Sequence, residues 1–212
     1  MSRPHSPLYW RTHLAILAGA ALVFFLAYIE ATRHAVPMWE LDVTDEINEA
    51  PAWIAHALWP IMQLGTVWAP IVIGIVVAAV YGPRRGAAVV ISGLSAWFLA
   101  KGVKHLVERG RPLAYLPNIN VREGNGGGLG FVSGHTAVAF AVATALLPIL
   151  PPKGRVVAYA LATLVGLARI VYGVHLVVDV IGGAALGIMC GCVVDLLLKV
   201  VPSRSPSGLA SA

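Results

Sequence analysis

Long apolar stretches alternate with short polar ones along the whole chain. Residues 14–29 are continuously apolar and predict a first transmembrane helix. Residues 30–49 are acidic, with Glu30, Glu40, Asp42, Asp45, Glu46 and Glu49 against Arg33, and predict a loop holding a short surface helix over 39–50. From 50 to 81 there is no Asp, Glu, Lys or Arg. At about 1.5 Å per residue this is longer than one straight crossing needs. Pro60, Gly65 and Pro70 divide it into an interfacial or re-entrant piece, 53–64, and a second span near 66–81. Gly82-Pro83-Arg84-Arg85 is a basic turn, and the third span starts over 86–100 and runs on through Lys101 and Lys104. A long loop, 108–132, has Gly124-Asn125-Gly126-Gly127-Gly128 as its flexible centre. The fourth span is 134–149, the fifth 156–172 and the sixth 176–200, with a turn at Pro151-Pro152-Lys153-Gly154-Arg155. Gly182, Gly183, Ala184 and Gly187 predict close helix packing in the sixth span.

The pattern therefore predicts an all-α polytopic membrane protein. It has six transmembrane helices around a bundle core, plus the short interfacial or re-entrant segment. Residues 1–200 form one domain, and the Ser- and Pro-rich stretch 201–212 is a disordered tail. Composition agrees: 58% of the residues are hydrophobic and 12% charged, against about 25% charged in soluble domains. The net charge of +5 raises nucleic-acid binding, but the basic residues mark segment ends and make no patch, so that class is excluded. Cys190 and Cys192 do not face each other at helical spacing and predict neither a disulfide nor a metal site. Arg3 and Arg11 precede the first apolar stretch without a small-residue cleavage signal, which predicts a retained span. Arg3, Arg11, Arg84, Arg85, Lys153, Arg155, Lys199 and Arg204 share one face, which the positive-inside rule makes cytoplasmic together with both termini. The loop 108–132 then faces outward from the plasma membrane. Arg109 and Arg111 lie there against that rule, which points to function.

Three polar clusters share the outward face. The first is Lys104 with Arg109 and Arg111-Pro112; the second is Ser133-Gly134-His135; the third is Arg169, His175 and Asp179. His175 and Asp179 are four apart, on one face of a helix. A carboxylate beside an imidazole fixes its tautomer and leaves the other nitrogen free to attack. Lys104, Arg111 and Arg169 supply charge and forked donors for phosphoryl oxygens. Ser133, Gly134 and the amides after them form a helix N-terminus that favours an anion. His135 stands across that cradle, placed to protonate a leaving oxygen. The set suits two-step phosphoryl transfer through a phosphohistidine, with no metal and no cofactor.

In these motifs the sequence resembles the type 2 phosphatidic acid phosphatase superfamily of membrane lipid phosphatases. Its pattern is Lys-x6-Arg-Pro, Pro-Ser-Gly-His and Ser-Arg-x5-His-x3-Asp. Lys104 through Arg111-Pro112 fits the first element in full. Ser133-Gly134-His135 fits the second with Val132 in place of proline, and Arg169, His175 and Asp179 fit the third with Ala168 in place of serine. The resemblance implies His175 as nucleophile, Asp179 as its partner and His135 as acid. It implies that Lys104, Arg111, Ser133, Gly134 and Arg169 bind phosphate, and that activity is metal-independent.

Taken singly, each residue has an ordinary reading: Ser133 an N-cap, Lys104, Arg109 and Arg111 snorkelling charges, His175 an interfacial histidine. Three such coincidences at matching spacings on one face outweigh those readings. His5, His13, His34, His56 and His105 have no such support and are taken as structural. Glu108 is expected to pair with Lys104 one helical turn away. The expected activity is removal of phosphate from an undecaprenyl or decaprenyl diphosphate or phosphate at the outer leaflet. The runner-up substrate is phosphatidylglycerophosphate or phosphatidic acid. The partners expected are the lipid substrate and membrane lipids, with no nucleic acid and no obligatory protein. A transporter or flippase of anionic lipid is the rival class, and it would more often carry matched broken helices in two halves.

Overall fold

The computed structural model describes residues 7–198. The tail predicted over 201–212, and Arg3, His5, Lys199 and Arg204, lie outside the described residues.

Among the described residues eight α-helices are joined by short connections and one long loop: α1 (Pro7–Ala31), α2 (Met38–Asn48), α3 (Ala52–Met62), α4 (Ala69–Tyr81), α5 (Pro83–Val107), α6 (Gly134–Leu146), α7 (Pro152–Val171) and α8 (Val177–Leu198). Prolines open many of them. Pro37 and Pro51 stand just before α2 and α3, and Pro83 and Pro152 open α5 and α7, where a missing N–H costs nothing. The acidic segment does hold its short helix, α2. The uncharged stretch does break, since α3 and α4 meet at a bend of 64° across a 3-10 turn, Gln63–Gly65.

Four described helices, α1, α5, α7 and α8, are long and apolar enough to cross a bilayer, and the bent α3–α4 pair qualifies as a fifth. The predicted fourth span is shorter than expected. α6 has 13 residues, about 20 Å of rise against about 30 Å of hydrocarbon. Its N-terminus is set by Ser133, and the chain leaves the helix after Leu146, ahead of Pro148 and Pro151.

α6 sits at the centre, with most of its side chains buried. Its most extensive packing is with α8, and α5 and α7 flank it. Glycines allow that approach. A Cβ on Gly183 would lie 2.6 Å from the Ser133 carbonyl oxygen, and one on Gly191 2.5 Å from Thr144 Cβ. The close packing predicted for 182–187 is thus present, and it extends one turn further. Phe131, Val132, Ala137 and Ala141 of the α6 side join Val178, Leu186 and Cys190 of α8 in the main core cluster. Cys190 and Cys192 are buried free thiols. The outward faces of α1, α4 and α5 expose Leu22, Phe25, Leu26, Ile75, Val80, Phe98 and Leu99, as lipid-facing helices do. Trp39, Trp53, Trp59 and Trp68, on α2, on α3 and beside α4, are also exposed, as aromatic residues at a membrane interface are.

Gly187 faces the α6 backbone at Ala137 and Ala141. Gly187→Leu is expected to force α6 and α8 apart at a cost of about 1–3 kcal/mol. The measurement is the detergent-solubilised melting temperature, with Ile188→Leu as the size-matched control.

Candidate active site

The site is assembled where α5, the long loop, the start of α6 and the α7–α8 turn meet. α5 ends at Val107, and Glu108 turns left-handed at φ 52°. That turn takes the Glu108 side chain out of helical register, so the expected pairing with Lys104 does not form. Lys104 Nζ instead donates to the carbonyls of Leu129 and Gly130, each at 2.8 Å. Gly110 bridges Leu129 in antiparallel fashion, and the Gly130 N–H donates to the Arg109 carbonyl at 2.7 Å. The two ends of the loop are therefore stitched together beside Lys104. A side chain at Gly130 is impossible here, because its Cβ would lie 2.7 Å from Asp179 Oδ2 and 2.8 Å from the Gly110 carbonyl oxygen.

Lys104, Arg111, Gly134, His135, Arg169 and His175 all line one cavity of about 420 Å³. Ser133 does not line it. It is fully buried behind Gly134, with Oγ accepting from Thr136 Oγ1 at 2.9 Å and its N–H donating to the Asp179 carbonyl at 2.9 Å. It stands at the N-cap position without making a side-chain cap bond. The Phe131–Val132 peptide, where the motif carries valine for proline, is cis.

His175 lies in the turn before α8 and is 2% exposed. Its Nδ1 is 3.3 Å from Asp179 Oδ2, which leaves Nε2 as the nitrogen not engaged with that carboxylate. Burial pushes the imidazole well below the ordinary histidine range, and Lys104, Arg169 and Arg111 add to the effect. The neutral form of the ring is therefore favoured.

Asp179 is itself held on every side. Oδ2 accepts from the Leu176 N–H at 3.0 Å, and Oδ1 accepts from Arg109 Nη1 at 3.1 Å. Arg109 is buried and reaches in the other direction to Glu40 of α2. Its Nη1 and Nη2 donate to Glu40 Oε1 and Oε2 at 3.1 and 2.5 Å. Glu40 is fully buried and also accepts from the Val178 N–H at 2.9 Å. The result is a chain Glu40–Arg109–Asp179–His175. Two carboxylates share one guanidinium, and Asp179 Oδ2 is the carboxylate oxygen that meets the ring.

Sequence reasoning placed Arg109 near the site but gave it no role, and it missed Glu40 altogether. It also missed the anchor of the loop. Asn48 donates to the Asn120 and Val171 carbonyls at 3.0 Å each and accepts from the Asn120 N–H at 2.8 Å. Arg122 donates to the carbonyls of Asn48, Ala50 and Val171.

Two donors in the site have no partner. Arg111 Nε and Arg169 Nε are buried without a hydrogen bond. An unmet buried donor is costly, and a guanidinium N–H bonds an anionic oxygen strongly. Among the described residues no group of His, Cys, Asp or Glu is arranged to hold a metal ion.

Residues 85–200 match the PAP2 superfamily. The chain belongs to that superfamily. Two solved structures share the fold. LpxE of Aquifex aeolicus is 24% identical, covers 74% of this chain and 95% of its own, and superposes with a TM-score of 0.69. A PAP2-type phosphatidylglycerolphosphate phosphatase of Bacillus subtilis is 22% identical, covers 86% and 96%, and has a TM-score of 0.73. No curated protein matches the sequence.

Glu40→Ala leaves Arg109 paired with Asp179 but strips two hydrogen bonds from its buried guanidinium and leaves the Val178 N–H unpaired. The expected loss is about 1–3 kcal/mol of stability, read as a lowered melting temperature. Acid sensitivity follows from His175. Its folded pKa lies below the unfolded value of about 6.5, so on acidification the unfolded chain takes up the proton first. The contribution is intact above about pH 6.5 and is lost below it. His175→Gln is therefore expected to lose less melting temperature than the wild type between pH 7 and pH 5.

Proposed function

We propose that the protein is a lipid phosphatase that works through a phosphohistidine at His175. The observation that carries this reading is that Arg111 and Arg169, each with an unsatisfied guanidinium donor, line one cavity with Lys104, His135 and His175. His175 Nε2 attacks phosphorus as the bond to the lipid oxygen breaks, and His135 gives that oxygen its proton. A water then attacks the phosphohistidine, losing its proton to His135, and inorganic phosphate leaves. Lys104, Arg111, Arg169 and the amide of Gly134 stabilise the equatorial oxygens, a task metal ions perform in other phosphoryl-transfer enzymes. Ser133 acts from behind, by fixing the start of α6.

Of the substrates, a polyprenyl diphosphate is the first reading. Lys101, Lys104, Arg111 and Arg169 line the cavity against the single carboxylate Glu123, an excess suited to a multiply charged diphosphate. A glycerol-linked phosphate such as phosphatidylglycerophosphate is the second. It is favoured by the adjoining cavity of about 610 Å³, where His56, Gln63 and Thr66 offer hydrogen bonds to a hydroxylated headgroup beside His135. The topology proposed has six crossings, with α6 as the short one, both termini cytoplasmic and the cavity open to the outer face.

Phosphate release from a panel of lipid phosphates and diphosphates, in detergent with chelator, is the direct test. Release from at least one is expected, and release from none sinks the phosphatase reading in favour of anion transport. His175→Ala should abolish release, and Asp179→Asn should slow it about 10²–10⁴-fold. For topology, a cysteine at position 125 should react with an impermeant thiol reagent in intact cells; labelling only after lysis inverts the orientation.

A further inference from the structure

One carboxylate stands among the cations of the site. Glu123 Oε2 pairs with Arg169 Nη1, one of the guanidinium groups assigned above to phosphate. The carboxylate comes from the loop and the guanidinium from the last turn of α7. The chain on its N-terminal side is fixed, because the Arg122 N–H donates to the Tyr172 carbonyl at 3.0 Å and the Arg122 guanidinium is clamped on three more carbonyls. On the C-terminal side Gly124, at φ 66°, begins the glycine run. Glu123 is thus delivered to Arg169 by a rigid anchor rather than by a wandering loop. Its side chain is nevertheless 43% exposed, and it borders both the 420 Å³ catalytic cavity and the 610 Å³ cavity next to it. There is open volume behind it to move into.

Arg169 Nη1 has one other contact, Met62 Sδ at 3.2 Å, and a thioether is a weak acceptor. Glu123 is therefore the strong acceptor that meets Arg169 Nη1.

We propose that Glu123 is a resident anion that competes with the phosphoryl group for Arg169 and so sets how tightly the site holds phosphate. A phosphoryl group entering the cavity takes Arg169, and the carboxylate turns toward the adjoining cavity. When inorganic phosphate is the occupant, the returning carboxylate displaces it. A site with Lys104, Arg111 and Arg169 converging on one anion would otherwise bind its product strongly. This assignment rests on the reading of the cavity as a phosphate site.

The test is calorimetric titration of inorganic phosphate into the purified full chain in detergent, which needs no turnover. Glu123→Gln is expected to bind phosphate about three- to tenfold more tightly than the wild type. Glu123→Asp, whose carboxylate is drawn back from Arg169 by one methylene, is expected to shift the same way and serves if the Gln variant does not fold. Unchanged or weaker binding overturns the proposal. Weaker binding is the result if Glu123 merely holds Arg169 in place, so the sign separates a competitor from a support. Tighter binding without turnover of any lipid phosphate would defeat the phosphatase reading and leave this one standing.

Discussion

The buried bond between Arg109 and the two carboxylates Glu40 and Asp179 is the interaction on which the site depends. It joins three places far apart in sequence: the acidic segment after α1, the loop after α5 and the first turn of α8. Two carboxylates and one guanidinium in a fully desolvated position are costly unless every lone pair is met. They are met here by Val178 N–H, Leu176 N–H and the His175 ring. That completeness fixes the α7–α8 turn, and with it the direction in which His175 points. It also separates the two basic residues of the loop after α5: Arg109 is a buried structural cation, while Arg111 lines the cavity.

Backbone proximity is the second constraint. Gly182, Gly183, Gly187 and Gly191 bring α8 onto residues 131–144, and the Ser133 N–H meets the Asp179 carbonyl as a result. The two histidines that line the cavity, His135 on α6 and His175 before α8, therefore sit on elements locked to one another. In a bilayer, where apolar side chains gain little by leaving lipid, this close contact is what drives helix association.

The helices were legible because a membrane reduces folding to a one-dimensional signal. Length without charge marks α1, α5, α7 and α8, and proline marks the bend between α3 and α4. Six of the eight proposed site residues line the cavity together, and Asp179 stands at hydrogen-bonding distance from His175, because spacing within a motif survives folding. What was not legible depends on contacts between distant segments. Glu40 looks like one acid among several until Arg109 is brought to it from 69 positions away. Glu123 looks like loop until Asn48 and Arg122 anchor its neighbours. The Lys104–Glu108 pairing was expected from helical spacing and fails because the helix stops one residue short of it. Ser133 sits where a phosphate-binding serine was expected, but its hydroxyl is committed to Thr136.

The brevity of α6 bears on where the reaction takes place relative to the lipid. A central helix of about 20 Å in about 30 Å of hydrocarbon cannot carry its first turn to both surfaces at once. If its far end is level with its neighbours, His135 and Gly134 lie well beneath the plane of the surrounding headgroups. The segment leading down to them, Phe131, Val132 and Ser133, is completely enclosed by protein, which is the condition under which irregular backbone is tolerated at that depth. The cavity then makes a polar well within the bilayer. On the proposed reading, a lipid phosphate would reach His175 by sinking toward its own tails, with its hydrocarbon chain left among its neighbours.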